Sequence, residues 1–155
     1  MRCIICEKIS FLAICKTCQN DFLNSSLSKR EISKDFFVYS FYEFDEIKQL
    51  INSKYYFYGD RILNILADLS FRKFSNNFKF NQSVTVIPID DHMRHDFSHS
   101  AILAKHMKSK YLNVKFNTLK AQNIIKYAGK SLKFRQKNKR DFSYTGKKKF
   151  KNNSC

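Results

Sequence analysis

Residues 84–108 read Val84-Thr85-Val86-Ile87-Pro88-Ile89-Asp90-Asp91-His92-Met93-Arg94-His95-Asp96-Phe97-Ser98-His99-Ser100-Ala101-Ile102-Leu103-Ala104-Lys105-His106-Met107-Lys108. The run opens apolar and β-branched, the composition of a buried strand. The chain's only proline, Pro88, stands near the end of that run, where a strand should stop. A polar loop follows over residues 90–96. Phe97, Ala101, Ile102, Leu103, His106 and Met107 then recur at helical spacing, with Ser98 or Ser100 available as N-cap. Strand, polar loop and helix form the unit in which α/β proteins hold a ligand, beyond the carboxyl end of the strand. Asp90 and Asp91 occupy that place, either as ligand residues or as a pair capping the loop.

Outward from this unit the pattern stays mixed. C-terminal to it, residues 112–119 alternate with period two, Leu112, Val114 and Phe116 on one side, which predicts a second strand with one solvated face. N-terminal to it, residues 36–42 are aromatic and β-favouring and read as one strand of a hairpin. Residues 23–34 are polar and serine-rich and read as a connection. Asp45 is placed to cap a short helix carrying Ile47, Leu50 and Ile51. Residues 54–60, ending in Gly59-Asp60, break that helix, and Asp60 is placed to cap another with Ile62, Ile65, Leu66, Leu69 and Phe74 on its apolar face. Residues 75–83 read as a polar loop.

The first 18 residues carry a different chemistry. Cys3-x2-Cys6 and Cys15-x2-Cys18 lie eight residues apart. Each C-x-x-C turns the backbone so that two thiolates face one point, and two such knuckles complete a tetrahedral sphere for one structural Zn²⁺. Disulfides are the weaker reading in a reducing compartment, and a redox motif would use one pair after a strand. Cys155, far away in sequence, reads as a free thiol. His92, His95, His99 and His106 lie close in sequence, and His95 and His99 have i,i+4 spacing. With no HExxH and no acid at a supporting offset, they read as loop and helix histidines.

Charge is unevenly placed. The chain of 155 residues has a formal net charge of +16. Residues 1–104 carry 13 Lys and Arg against 12 acids, while residues 105–155 carry 16 against Asp141 alone. A near-neutral body with a basic last third points to a polyanion, nucleic acid first. The basic tract holds Lys126, Lys130, Lys133, Arg135, Lys137, Lys139 and Arg140, interleaved with Tyr127 and Phe134. The composition, 43% hydrophobic and 15% aromatic, predicts a packed core. No apolar run approaches the roughly 20 residues of a membrane span, and the N-terminus lacks the regions of a secretory signal. The chain is read as cytoplasmic. Walker motifs, GxGxxG and recognisable catalytic triads are absent.

Taken in order, these pieces resemble the ComF family, bacterial proteins of DNA uptake in natural competence. Members join an N-terminal four-cysteine zinc finger to a type I phosphoribosyltransferase-like domain. The resemblance rests on the Cys3-Cys6-Cys15-Cys18 finger, the aromatic stretch 39–44, Lys54 followed by Gly59-Asp60 and a helix, Val86-Ile87-Pro88-Ile89 with its loop and helix, and the tract 131–140. It implies an α/β fold: a type I phosphoribosyltransferase-like parallel sheet with helices, plus the small zinc-finger module. The expected division is 1–30 for the finger, 31–146 for the phosphoribosyltransferase-like domain and 147–155 for a disordered basic tail.

Two departures from the family pattern bear on function. His95-Asp96-Phe97-Ser98-His99 stands where the family has an Arg-Gly-Phe-Asn-Gln-like sequence, keeping only the phenylalanine. The family's phosphoribosyl pyrophosphate loop, a strand running into two acids and Thr-Thr-Gly-Thr, would follow Lys149, where the sequence reads Phe150-Lys151-Asn152-Asn153-Ser154-Cys155. That loop wraps the ribose 5-phosphate in backbone N–H groups. The expectation is therefore a domain truncated before this loop and without transferase activity. The resemblance then implies a competence protein that binds incoming single-stranded DNA, with proteins of the uptake machinery as further partners. Lys126, Lys130, Lys133, Arg135, Lys137, Lys139 and Arg140 would track phosphates, and Phe134 would stack on a base. The alternatives are a phosphoribosyltransferase whose loop lies in a frame-shifted continuation, or a non-functional truncated fragment. The enzyme reading would use Lys54, Asp90 and Asp91 around its substrate, with Mg²⁺ as cofactor only in that case.

Overall fold

The computed structural model describes residues 1–77, 79, 81–89, 97–123, 125, 127 and 129–146. Within them the chain forms six short α-helices and three two-stranded sheets, a mixed helix and small-sheet architecture. After the cysteine-bearing turns comes α1 (Lys16–Phe22). Strands β1 (Ser28–Ser33) and β2 (Phe36–Ser40) pair antiparallel across a tight turn in which Asp35 adopts φ 62°. β1 lies within residues 23–34, read from sequence as a connection, and supplies the other strand of the hairpin. Ser28-Lys29-Arg30-Glu31-Ile32-Ser33 is exposed throughout, so no buried alternation marks it as a strand. It is held by its register with the aromatic β2.

Helices α2 (Phe44–Asn52) and α3 (Gly59–Ala67) follow as expected, but each begins slightly earlier than its predicted cap. Glu43 and Tyr58 take the N-cap positions, and Asp45 and Asp60 lie in the first turns. There they still favour the helix by meeting the positive end of its dipole. A 3₁₀ turn at Ser53–Tyr55 separates the two. Gly59 is required at that junction: a Cβ there would lie far inside van der Waals contact with the carbonyl of Ser53. The helical path runs on past Ala67 through a π-helical turn (Asp68–Arg72) into α4 (Lys73–Asn77). Residues 75–77 are therefore helical rather than loop. Phe71 and Phe74 from this stretch receive β2 and the residue after it, with ring centroids 5.4 Å apart for Tyr39–Phe74 and 4.8 Å for Phe41–Phe71.

The core lies in this first half. Cys3, Ala13, Ile14, Cys18, Leu23, Ile47, Leu50, Ile62 and Leu66 form one buried cluster, with Ile51, Ile65 and Leu69 against it. The helical faces read from sequence are thus the faces that pack. The cysteine-bearing segment shares their core. Ile14 and Ile62 are fully buried, and each contributes about 1.5–3 kcal/mol by leaving water.

The strand and the helix of the strand–loop–helix unit are both present in shortened form, and its loop, residues 90–96, lies outside the described residues. β3 (Val84–Val86) pairs in parallel with β4 (Leu112–Val114), Val84 opposite Leu112, and α5 (His99–Lys105) lies in the crossover between them. Parallel pairing requires such a crossover. Ser98 caps α5 as expected, its hydroxyl accepting from the N–H of Ala101 at 3.2 Å. β4 ends early because Asn117 turns the chain at φ 55° and the buried Thr118 hydroxyl donates back to the carbonyls of Phe116 and Lys115. Beyond the turn, β5 (Leu119–Ala121) pairs antiparallel with β6 (Phe142–Tyr144), and α6 (Leu132–Lys137) lies in the excursion between them. No helix among the described residues is long and apolar enough to cross a membrane.

Candidate metal centre and basic arm

The four cysteines predicted to act together do converge. The Sγ atoms of Cys3, Cys6, Cys15 and Cys18 all lie within 4.8 Å of one another. Cys6 Sγ and Cys15 Sγ are 3.7 Å apart. Four sulfurs at about 2.3 Å from one ion stand at tetrahedral edges of about 3.8 Å, so the Cys6–Cys15 pair already has that spacing and the wider pairs need draw in by no more than about 1 Å. Two local features build the site. The first knuckle closes by the N–H of Glu7 donating to the carbonyl of Cys3 at 2.9 Å, which puts Glu7 at φ 61°. The second opens α1, with Cys15 at its N-cap and Cys18 one turn on, buried. The Gln19 amide ties that turn down by donating to the Ile14 carbonyl at 2.7 Å.

Electrostatics favour ligation. Burial pushes the Cys3 thiol up, but hydrogen bonds from the backbone at Cys6, Cys15 and Ile5 outweigh it and bring the group down to about 6. One of these is the Cys15 N–H donating to Cys3 Sγ at 3.3 Å. Cys18 goes the other way, pushed up by burial and then by the sulfurs of Cys15, Cys6 and Cys3. Packed sulfur atoms that oppose one another's ionisation are stabilised by a cation among them. The donor set is soft, closed and buried on one side, which suits a structural ion better than a catalytic one with an open position.

The basic tract is an arm with a tied neck. Gln122 N–H donates to the Asp141 carbonyl at 2.8 Å, Asn123 Nδ2 to the Lys139 carbonyl at 3.3 Å, and the Tyr127 hydroxyl to the Asn138 carbonyl. Arg140 donates to the Ile125 carbonyl at 2.9 Å, its guanidinium 5.2 Å from the centre of the Tyr127 ring. These ties hold the two limbs together above β5 and β6. At the far end Ser131 caps α6, its hydroxyl accepting from the N–H of Phe134. Lys130, Lys133, Arg135 and Lys137 are exposed there and Lys139 is exposed beside the neck, and the Lys130 ammonium lies 5.5 Å from the Phe134 ring centre. Arg140 is half-buried in the neck and engaged in holding the arm, and Arg135 Nε donates to the Lys130 carbonyl at 3.1 Å.

Lys54 sits half-buried in the 3₁₀ turn with its ammonium 5.1 Å from the Tyr55 ring centre. Asp90, Asp91, Lys126, His92, His95 and the tail 147–155 lie outside the described residues. His106 belongs to a network that sequence reasoning did not single out. Its Nε2 is 2.9 Å from Asn64 Oδ1, its Nδ1 is 3.1 Å from an Arg72 nitrogen, and Arg72 in turn pairs with Asp68. The His106 side chain is only 9% exposed, and this cluster locks α5 to α3. Burial, then the charge of Arg72, pulls its pKa below the usual histidine value, with Asp68 opposing. The only signal in the sequence was the i,i+4 spacing of Asn64, Asp68 and Arg72 along one helical face.

The geometry defines a mixed helix and small-sheet protein whose N-terminal cysteines are placed to hold one metal ion. No protein-family model and no curated protein matches the chain.

Proposed function

We propose that the chain is a ComF-like competence protein that binds incoming single-stranded DNA through its basic arm, on a phosphoribosyltransferase-like scaffold stabilised by Zn²⁺ at Cys3, Cys6, Cys15 and Cys18. The observation that carries this reading is the arm. Its neck is tied by hydrogen bonds to backbone carbonyls, so the exposed cations beyond it are carried on a tied arm instead of being scattered on a loop. The parallel pairing of β3 and β4 around α5 supports the α/β scaffold, and the cysteine geometry supports the finger. Polyanion contact, not sugar-phosphate transfer, is the proposed activity, with a location in the cytoplasm at the uptake machinery.

Phosphate contacts release counterions, so binding must weaken with salt by a slope of about −0.7 for each phosphate neutralised on a single strand. If Lys130, Lys133, Arg135, Lys137 and Lys139 each neutralise one, the slope of log K against log salt approaches about −3.5. Fluorescence anisotropy of a labelled oligothymidylate, titrated with the full chain in rising salt, reads that slope directly. Exchanging Lys133 and Lys137 for alanine should flatten it by more than one unit. Binding indifferent to salt, or unchanged in the double variant, would falsify the reading. Saturable binding of phosphoribosyl pyrophosphate with Mg²⁺ would shift it to the transferase alternative.

A further inference from the structure

The turn between α2 and α3 reads Lys54-Tyr55-Tyr56-Phe57-Tyr58-Gly59 and stands apart from the arm in sequence. Tyr55, Tyr56 and Phe57 are 46%, 54% and 84% exposed. Three successive aromatic side chains in water forgo a large gain from burial, yet the turn that displays them is rigid. The Tyr56 N–H donates to the Ser53 carbonyl at 2.8 Å and the Gly59 N–H to the Tyr56 carbonyl at 3.0 Å. Gly59 is buried against the Ser53 backbone, where no other residue fits.

The rings are also ordered among themselves. Tyr56 and Tyr58 stack with centroids 5.5 Å apart and planes 4° from parallel. Phe57 meets Tyr58 edge-on at 5.3 Å and 85°. Such a turn presents flat π faces in a fixed orientation. Cations flank it: Lys54 beside the Tyr55 ring, and the exposed Arg61 in the first turn of α3, with Asp60 the one acid between. Flat aromatic faces with adjacent positive charge hold the unpaired bases of a single strand, because every base offers a π face and each phosphate needs a counter-charge. A duplex keeps its base faces inside the stack and gains little from the same surface.

We propose that residues 54–58 form a base-stacking site for single-stranded nucleic acid. The inference rests on the single-strand reading above and adds to it: the arm supplies charge for phosphates, and the turn supplies ring faces for bases. An aromatic turn with cations also suits an anionic membrane surface. The ordered stacking of Tyr56 on Tyr58 favours the base, since insertion into lipid depends on depth and not on parallel ring faces.

The chain contains no tryptophan, so Phe57→Trp places a single indole reporter at the site. The metal-loaded full chain carrying this change is titrated with oligothymidylate, and separately with vesicles of phosphatidylglycerol and phosphatidylethanolamine. Stacking predicts strong quenching of the indole by the oligonucleotide. It also predicts that Tyr56→Ala and Phe57→Ala each weaken oligonucleotide binding about tenfold while leaving the salt slope unchanged. Both positions are exposed, so circular dichroism should report an unaltered fold. Oligonucleotide binding with neither quenching nor loss in the alanine variants overturns this site and leaves the arm standing. Failure of the unaltered chain to bind overturns both. A blue shift on vesicles with no response to oligonucleotide also overturns it, in favour of the membrane surface.

Discussion

Residues 3–69 and residues 119–144 are held by opposite means. The first region closes around a buried cluster running from Cys3 to Leu66, with four sulfur atoms at its edge placed for a metal ion. The second has no buried apolar residue among those described; it is a strand pair, an exposed six-residue helix and a set of polar ties to backbone carbonyls. In the first region packed side chains make the structure. In the second, strand pairing and polar ties to backbone carbonyls make the structure and leave most of its charged side chains to the solvent. A region built in the second way suits a partner whose contacts are charge and stacking, because its exposed lysines belong to no core.

The largest test of this contrast is removal of the metal. Chelation, or Cys18→Ser, should destabilise the first region by roughly 5 kcal/mol or more, because the binding energy of a structural ion is folding energy. Thermal unfolding followed by tyrosine circular dichroism, with metal content measured in parallel, checks it. One ion per chain and a collapse of the transition on chelation are expected; a chelated chain that melts unchanged would break the contrast.

Next in size is a matched pair of truncations. Ile62→Ala, in the core, should cost about 2–4 kcal/mol through lost burial and the cavity left behind. Leu132→Ala, on α6 where the side chain is 69% exposed, should stay within about 0.5 kcal/mol. Chemical denaturation of both variants reads the difference, and equal losses would show that the arm is packed after all.

Within the second region the ties can be separated from the charges. Arg140→Ala removes the guanidinium from the Ile125 carbonyl and the Tyr127 ring, a local loss of about 1 kcal/mol. Hydrogen exchange at residues 122–123 and 138–141 should accelerate, whereas Lys137→Ala should leave those amides as they were. Arg140→Lys should not restore protection, because an ammonium lacks the planar group that both donates and stacks.

The smallest expected effect joins the two halves. His106 is held below its ordinary pKa, so the folded chain keeps it neutral while the unfolded chain protonates it near 6.5. Its contribution to stability is full above that value and is lost as pH falls towards the depressed folded pKa. Melting temperature should therefore decline below about pH 6.5, and His106→Gln should flatten that decline. A variant with the same pH profile as the unaltered chain would remove His106 from the account.

The sequence was legible where side chains carry the structure. The spacing of Cys3, Cys6, Cys15 and Cys18 announced their convergence, and the apolar periodicity of Ile47, Leu50, Ile62 and Leu66 announced the faces of α2 and α3. The β-branched run at Val84 and the alternation at Leu112 announced strands that do pair. What remained hidden was made by the backbone or by distance. β1 is polar and exposed, so only its partner β2 defines it. The pairing of β5 with β6 joins three-residue strands across 20 intervening residues, too short for periodicity to register. The turn at Asn117 truncated β4 through a positive φ and the carbonyl bonds of Thr118, neither of which an alternating pattern reveals.

The most direct test of the central claim, that the arm is the surface that meets a single strand, is lysine acetylation footprinting of the full metal-loaded chain with and without oligothymidylate. The account predicts that Lys130, Lys133, Lys137 and Lys139 become protected on binding, while Lys8, Lys16, Lys29 and Lys48 in the first region react as before. Protection confined to the first region, with the arm lysines unchanged, would contradict it.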